Sequence, residues 1–219
     1  MHITYWSDYA CPYCYIGISR IKRILKETGL YESTVFERKS FQLRKGELSR
    51  TCPSCSKVRD ELNSTHFQKK YKLSASAASE QFDLMHEMGL QEGLDIHYGT
   101  APLILTEDAH RLVKFAEDKK GPKIADAIAE SLFYLYLSKN IDISDKNILT
   151  EIGEAADLNS AELSQLMNSD EYGAEVMMDG LKADMLGIHL IPHFIVNGKY
   201  AIEGVATPEL IKKTLSAAL

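Results

Sequence analysis

Strand-forming sequence is confined to the two ends of this chain, and that confinement limits what it can fold into. Residues Ile3 to Trp6 are mostly β-branched or aromatic and run into Ser7-Asp8-Tyr9-Ala10-Cys11-Pro12, the pattern of a strand ending in a turn. A second strand is expected from Val35 to Leu43. At the far end, Pro192 to Val196 is a short apolar stretch, Asn197-Gly198 is a hairpin turn signal, and Tyr200 to Ile202 supplies the returning strand. Thr207 then caps a helix that opens Pro208-Glu209 and carries Leu210, Ile211 and Leu215 on one face.

Between these ends the sequence has helical periodicity and almost no strand signal. Helices are expected over Lys57–Tyr71, Ala75–Met88, Glu107–Lys119, Lys123–Lys139, Lys146–Ala156, Ser160–Ser169 and Tyr172–Met185. The economical architecture is α/β: a small domain assembled from both ends, with an all-helical domain inserted in the middle. Met85, Met88, Met177, Met178 and Met185 read as adaptable core packing. With 45% hydrophobic and 26% charged residues, the composition is that of an ordinary globular protein. A net charge of −6 disfavours nucleic acid as a partner, and no apolar run reaches membrane-spanning length. The opening Met1-His2-Ile3-Thr4-Tyr5-Trp6 has no basic leader or apolar export segment, so a cytoplasmic location is expected.

All four cysteines fall in two Cys-x-x-Cys pairs, Cys11/Cys14 and Cys52/Cys55. In a reducing compartment this arrangement suits redox chemistry or metal binding better than a structural disulfide framework. Around Cys11-Pro12-Tyr13-Cys14, a strand precedes the pair, Pro12 fits the first helical position, and Ile16, Ile18, Ile21, Ile24 and Leu25 continue at approximate helical spacing to Gly29. A Cys-x-x-Cys turn that opens a helix brings two sulfurs within disulfide reach. It also sets the first beside unpaired N–H groups and the positive helix end, a setting that favours thiolate. Cys11 is therefore the candidate nucleophile, and Cys14, one turn in, the resolving thiol. The alternative is a zinc half-site. Ile191-Pro192 precedes the hairpin. Either a cis proline presents the Ile191 backbone to an extended substrate, or a trans proline starts an edge strand.

These segments resemble the DsbA-like thioredoxin family, and specifically its FrnE-like branch. The resemblance rests on Tyr5-Trp6-Ser7-Asp8-Tyr9-Ala10-Cys11-Pro12-Tyr13-Cys14-Tyr15-Ile16-Gly17, on Thr106-Glu107-Asp108-Ala109-His110-Arg111-Leu112, and on Gly187 to Val196 with Gly204 after the hairpin. It implies a thioredoxin fold with an inserted all-helical domain. Residues 1–43 and 172–219 would form the thioredoxin-like part, and 44–171 the insertion. It also implies a cis Pro192 and dithiol–disulfide exchange through Cys11 and Cys14 with protein dithiols or disulfides, and with glutathione as a further partner. No cofactor and no metal are implied. The Pro12-Tyr13 dipeptide is the one usual in glutaredoxins, which leaves the direction of electron flow open. Pro12 and Tyr13 beside the thiols, and Ile191 and His193 beside Pro192, are candidate substrate contacts.

Cys52-Pro53-Ser54-Cys55 repeats the logic of the first pair beside a basic cluster of Arg44, Lys45, Arg50, Lys57 and Arg59, and reads as an auxiliary redox pair. A structural disulfide and zinc are its alternatives. His110 and Arg111 are expected to pack and bond at the junction of the two parts. A different class of function is a zinc-binding redox sensor or chaperone-like module that uses all four thiols. A third is glutathione-dependent isomerisation of small aromatic compounds, whose catalysts in this branch carry serine in place of the first cysteine. Retention of Cys11 argues against it.

Overall fold

The computed structural model describes residues 1–44 and 61–219. Strand β1 (His2–Ser7) buries Ile3, Tyr5 and Trp6 almost completely. It runs into helix α1 (Pro12–Glu27), which forms where Pro12 occupies the first turn and Ile16, Ile21, Ile24 and Leu25 align on a buried face. Each fully buried aliphatic side chain of this kind contributes about 1.5–3 kcal/mol. Gly29, at φ +71°, ends the helix. Its N–H bonds Lys26 O and the N–H of Leu30 bonds Leu25 O, a pairing that needs a residue free of a Cβ.

Strand β2 (Val35–Ser40) lies parallel to β1, from His2 opposite Val35 to Ser7 opposite Ser40. It stops at Ser40 rather than the expected Leu43 because β1 itself ends at Ser7. The chain then turns, with Phe41 N–H bonded to Ser7 O and Leu43 N–H to the Asp8 carboxylate.

The helical middle comprises α2 (Asn63–Tyr71), α3 (Ala75–Leu90), α4 (Glu107–Lys120), α5 (Pro122–Lys139), α6 (Lys146–Ala155), α7 (Ser160–Met167) and α8 (Gly173–Met185). Among the described residues α2 starts later than expected. Glu61 accepts from Leu103 N–H, and Leu62 is extended in a bridge to Pro102, so both are taken out of the helix. Strands β3 (His193–Val196) and β4 (Tyr200–Glu203) form the expected hairpin, with Asn197 and Gly198 both at positive φ, before α9 (Pro208–Ala217), capped by Thr207. Among the described residues the sheet order is β2-β1-β3-β4, with β1 antiparallel to β3. This is the thioredoxin-like architecture the resemblance implies, with mostly helical chain between β2 and β3.

One buried cluster runs from the sheet and α1 into α4, α5 and α7. Arg20 and Arg23 add a polar clamp, reaching Glu92 beyond α3 at 2.6 and 2.8 Å. The methionines divide. Met85 is buried, but Met177, Met178 and Met185 are exposed, which corrects their reading as core. Helix α8 turns Val176, Asp179 and Ala183 inward, and the intervening positions face out. Among the described residues no helix is long and apolar enough to cross a membrane.

Candidate functional site

Cys11 is the N-cap of α1, in extended conformation with φ −104° and ψ 111°. Its own N–H bonds Asp8 O at 3.0 Å, and its carbonyl accepts from Cys14 N–H at 3.1 Å. This tight turn sets the two thiols one helical turn apart. Both are free, Cys11 5% exposed and Cys14 fully buried. The outer thiol is therefore the one a partner can reach. Burial, a hydrogen bond with Cys11 and the Cys11 charge hold the Cys14 thiol well above its ordinary pKa, while the Asp8 backbone N–H pulls the other way.

The Ile191–Pro192 peptide is cis. The Cys11 thiol points at Ile191 O from 4.0 Å, a long contact even for sulfur. Gly17 is what lets α1 come so near: a Cβ there would stand 2.7 Å from Pro192 Cγ. Cys11, Cys14, Ile191 and Pro192 thus converge. Tyr13, half-buried beside them, has its phenol pKa raised by burial and then by the charges of Cys11 and Tyr71.

His193 is placed differently. The pleat turns Phe194 toward Gly17 and Tyr5, on the α1 side of the sheet. His193 faces the other side, against Trp6, whose indole N–H bonds Asp179 O in α8. Burial lowers the His193 pKa, with Glu203 opposing. Its ring is oriented away from the side that carries the thiols.

Arg44 also departs from expectation. Its guanidinium is buried and bonds Asn63 Oδ1 at 2.7 Å, so it belongs to the interior and not to an exposed basic cluster. Cys52 and Cys55, with Lys45, Arg50, Lys57 and Arg59, lie outside the described residues.

Beneath the dithiol lies a charge that the sequence pattern did not single out. Asp8 is almost fully buried, and its carboxylate accepts from Ala10 N–H at 3.1 Å and Leu43 N–H at 2.7 Å, with His110 Nε2 3.6 Å away. Burial works to raise the Asp8 pKa, but His110, the Leu43 amide and Thr106 outweigh it and hold it below 3.8. His110 also donates to Phe41 O at 3.1 Å and packs at a 40° tilt against the Tyr9 ring. An acid inside an otherwise apolar stretch, three residues before a cysteine, was the available signal. Tyr98, from the helical middle, is likewise within electrostatic reach of Cys11.

Because the folded-state pKa of Asp8 is depressed, its stabilising effect is complete above about pH 4, the unfolded-state value. It is lost as pH falls through the lower folded value. Urea unfolding of the wild type should therefore weaken below about pH 4. Asp8→Asn should lower stability at pH 7 by about 1–3 kcal/mol and flatten that acid limb. An unchanged acid limb in Asp8→Asn would remove this role.

A family model described as DSBA-like thioredoxin domain matches residues 2–216. An uncharacterized protein of Bacillus subtilis, YwbO, is 24% identical over 99% of this chain and 96% of its own length. The fold is similar to that of a probable DsbA oxidoreductase, SCO1869, from Streptomyces coelicolor, with a TM-score of 0.89 and 24% identity over 100% of this chain and 89% of that one. It also resembles the cytosolic disulfide reductase DsbM of Pseudomonas aeruginosa, with a TM-score of 0.58 and 14% identity over 99% and 98% of the two chains.

Proposed function

Because the chain belongs to the DSBA-like thioredoxin domain family, we propose that it exchanges electrons with protein disulfides through Cys11 and Cys14, by way of a mixed disulfide. The observation that carries this reading is the pairing of an outer Cys11, at the positive end of α1, with a buried Cys14 one turn behind it. In the reducing direction the Cys11 thiolate attacks one sulfur of a partner disulfide. An intermolecular S–S bond forms and the other partner sulfur leaves as thiolate. Cys14 then loses its proton and attacks the Cys11 sulfur, which releases the second partner thiolate and leaves a Cys11–Cys14 disulfide. Two electrons pass to the partner. The oxidising direction is the same path reversed. Burial holds the Cys14 proton, so loss of that proton is part of the step that resolves the mixed disulfide.

Partner backbone would lie along Ile191, whose carbonyl faces Cys11, with the partly exposed Tyr13 at the rim; Pro12, also expected as a contact, is buried in the first turn of α1. Membership in the FrnE-like branch, supported by the Thr106 to Leu112 segment, and a cytoplasmic location, supported by two Cys-x-x-Cys pairs in place of a disulfide framework, complete the reading. Disulfide exchange is favoured over isomerisation of small aromatic compounds because Cys11 keeps its thiol.

The test is equilibration of the protein in glutathione buffers poised across about −300 to −120 mV, followed by rapid alkylation and mass spectrometry. Reversible two-electron titration of Cys11 and Cys14 is the expected result, and its midpoint separates reductant from oxidant. The same spectra count whether Cys52 and Cys55 titrate too, as an auxiliary pair would. A Cys11/Cys14 pair that never oxidises would end the proposal.

A further inference from the structure

Beside the second half of α1, where Arg20 and Arg23 reach Glu92, the end of α3 closes into a tight reversal. Leu94 N–H bonds Gly89 O at 2.9 Å and Gly93 N–H bonds Leu90 O at 3.1 Å, with Gly93 at φ +76°. These crossed bonds need a glycine in the left-handed region. Gly89 permits the return, since a Cβ there would meet Leu94 O at 2.9 Å and the Ile96 side chain at 3.0 Å. The loop is anchored by Glu92 to Arg20 and Arg23, and by His97 N–H to Leu137 O at 2.7 Å.

Ile96 is buried in this returning segment, whereas its neighbours Asp95 and His97 are exposed. His86 sits on α3 one turn before Gly89 and meets them. Asp95 Oδ1 is 3.1 Å from His97 Nε2 and 3.7 Å from His86 Nδ1, the two rings stack with centroids 5.6 Å apart, and the three donor atoms lie within 4.8 Å of one another. Ligands about 2.0–2.1 Å from a tetrahedral ion lie about 3.3–3.4 Å from one another. The two distances from Asp95 bracket that edge.

We propose that His86, Asp95 and His97 form a binding site for a divalent transition-metal ion of the zinc class. Two imidazoles with one carboxylate select zinc, cobalt, nickel or copper over calcium and magnesium, which prefer all-oxygen shells. Three protein ligands at the surface leave the remaining position to water. His86 Nδ1 donates to Ile96 O at 3.0 Å, so ligation requires that ring to turn from the carbonyl and give up both this bond and its Nδ1 proton. The bound ion ties the last turn of α3 to the segment that Leu137 anchors to α5. It is a cross-link within the helical middle, independent of the dithiol.

The test is titration of the untagged, reduced protein with Co²⁺, whose absorption separates thiolate ligation, with its intense near-ultraviolet charge-transfer band, from nitrogen and oxygen ligation. One ion should bind per chain without that band. His97→Ala, at a side chain 46% exposed and so safe for the fold, should weaken this binding by about 100-fold or more, as should His86→Ala. His189→Ala, on an exposed loop, should leave it unchanged. Zn²⁺ should raise the thermal midpoint of the wild type but not of His97→Ala. Absence of this binding, binding only with the thiolate band, or equal affinity in the His86→Ala, His97→Ala double variant would overturn the assignment.

Discussion

Replacing Cys11 with serine is expected to lower disulfide exchange by about three orders of magnitude or more, because the more accessible of the two described thiols is then gone. Cys14→Ser should behave differently. Cys11 still attacks, but nothing behind it resolves the intermediate, so covalent adducts with partner proteins accumulate. Non-reducing gels of the two variants, followed by insulin reduction assays, read both effects. Trapped adducts in Cys11→Ser, or none in Cys14→Ser, would reverse the roles. Both variants should fold, since each substitution exchanges sulfur for oxygen at a small side chain. Cys14→Ser should be the less stable, because it places a hydroxyl at a fully buried position.

The largest expected effect on stability comes from a buried arginine on α4. Arg111, 1% exposed on α4, donates from Nη1 to Asp108, from Nη2 to Leu166 O and Ser169 O, all at 2.6 Å, and from Nε to Glu171 O at 2.7 Å. One planar fork thus satisfies carbonyls at the end of α7 and in the turn before α8. Arg111→Met should cost about 3–5 kcal/mol, since the acceptors stay buried when the donor goes. For a chain of this length that lowers the thermal midpoint by about 6–20 °C. Arg111→Lys should recover little, because a single ammonium cannot span acceptors laid out for a fork. A midpoint within 2 °C of wild type in Arg111→Met, by about the same conversion, would show that these bonds contribute nothing net.

The sequence made the scaffold legible because its signals are local. Asn197-Gly198 specifies its turn by backbone conformation alone, and Pro12 and Thr207 mark helix starts by their own chemistry. The spacing of Cys11 and Cys14 is local in the same way, whereas the residues around Pro192 left cis and trans open and only the resemblance implied cis. What escaped depends on tertiary neighbours. The end of β2 is fixed by the length of β1. The face taken by His193 follows from the pleat set by its pairing with Trp6, and a shift of one residue would have turned it to the thiol side. Arg44 looked like part of a solvated basic cluster until Asn63, Tyr98 and Ile104 surrounded it. Asp8 reads as a turn residue, and its partners Leu43 and His110 lie 35 and 102 positions away by number.

The sheet order has a consequence for how the protein is made. Cys11 leaves the ribosome well before the carbonyl that faces it, which belongs to Ile191, 180 positions later. The strand that flanks β1 on that side, β3, follows directly. At translation rates of about 5–20 residues per second, the interval is roughly 10–40 s. Throughout that time a nascent chain bears its reactive sulfurs on an unfinished sheet, with one neighbour of β1 made and the other still unsynthesised. The arrangement around Cys11 is therefore complete only after β3 has been made, and until then an oxidant or thiol-modifying agent meets the two thiols without the cover of Ile191 and Pro192.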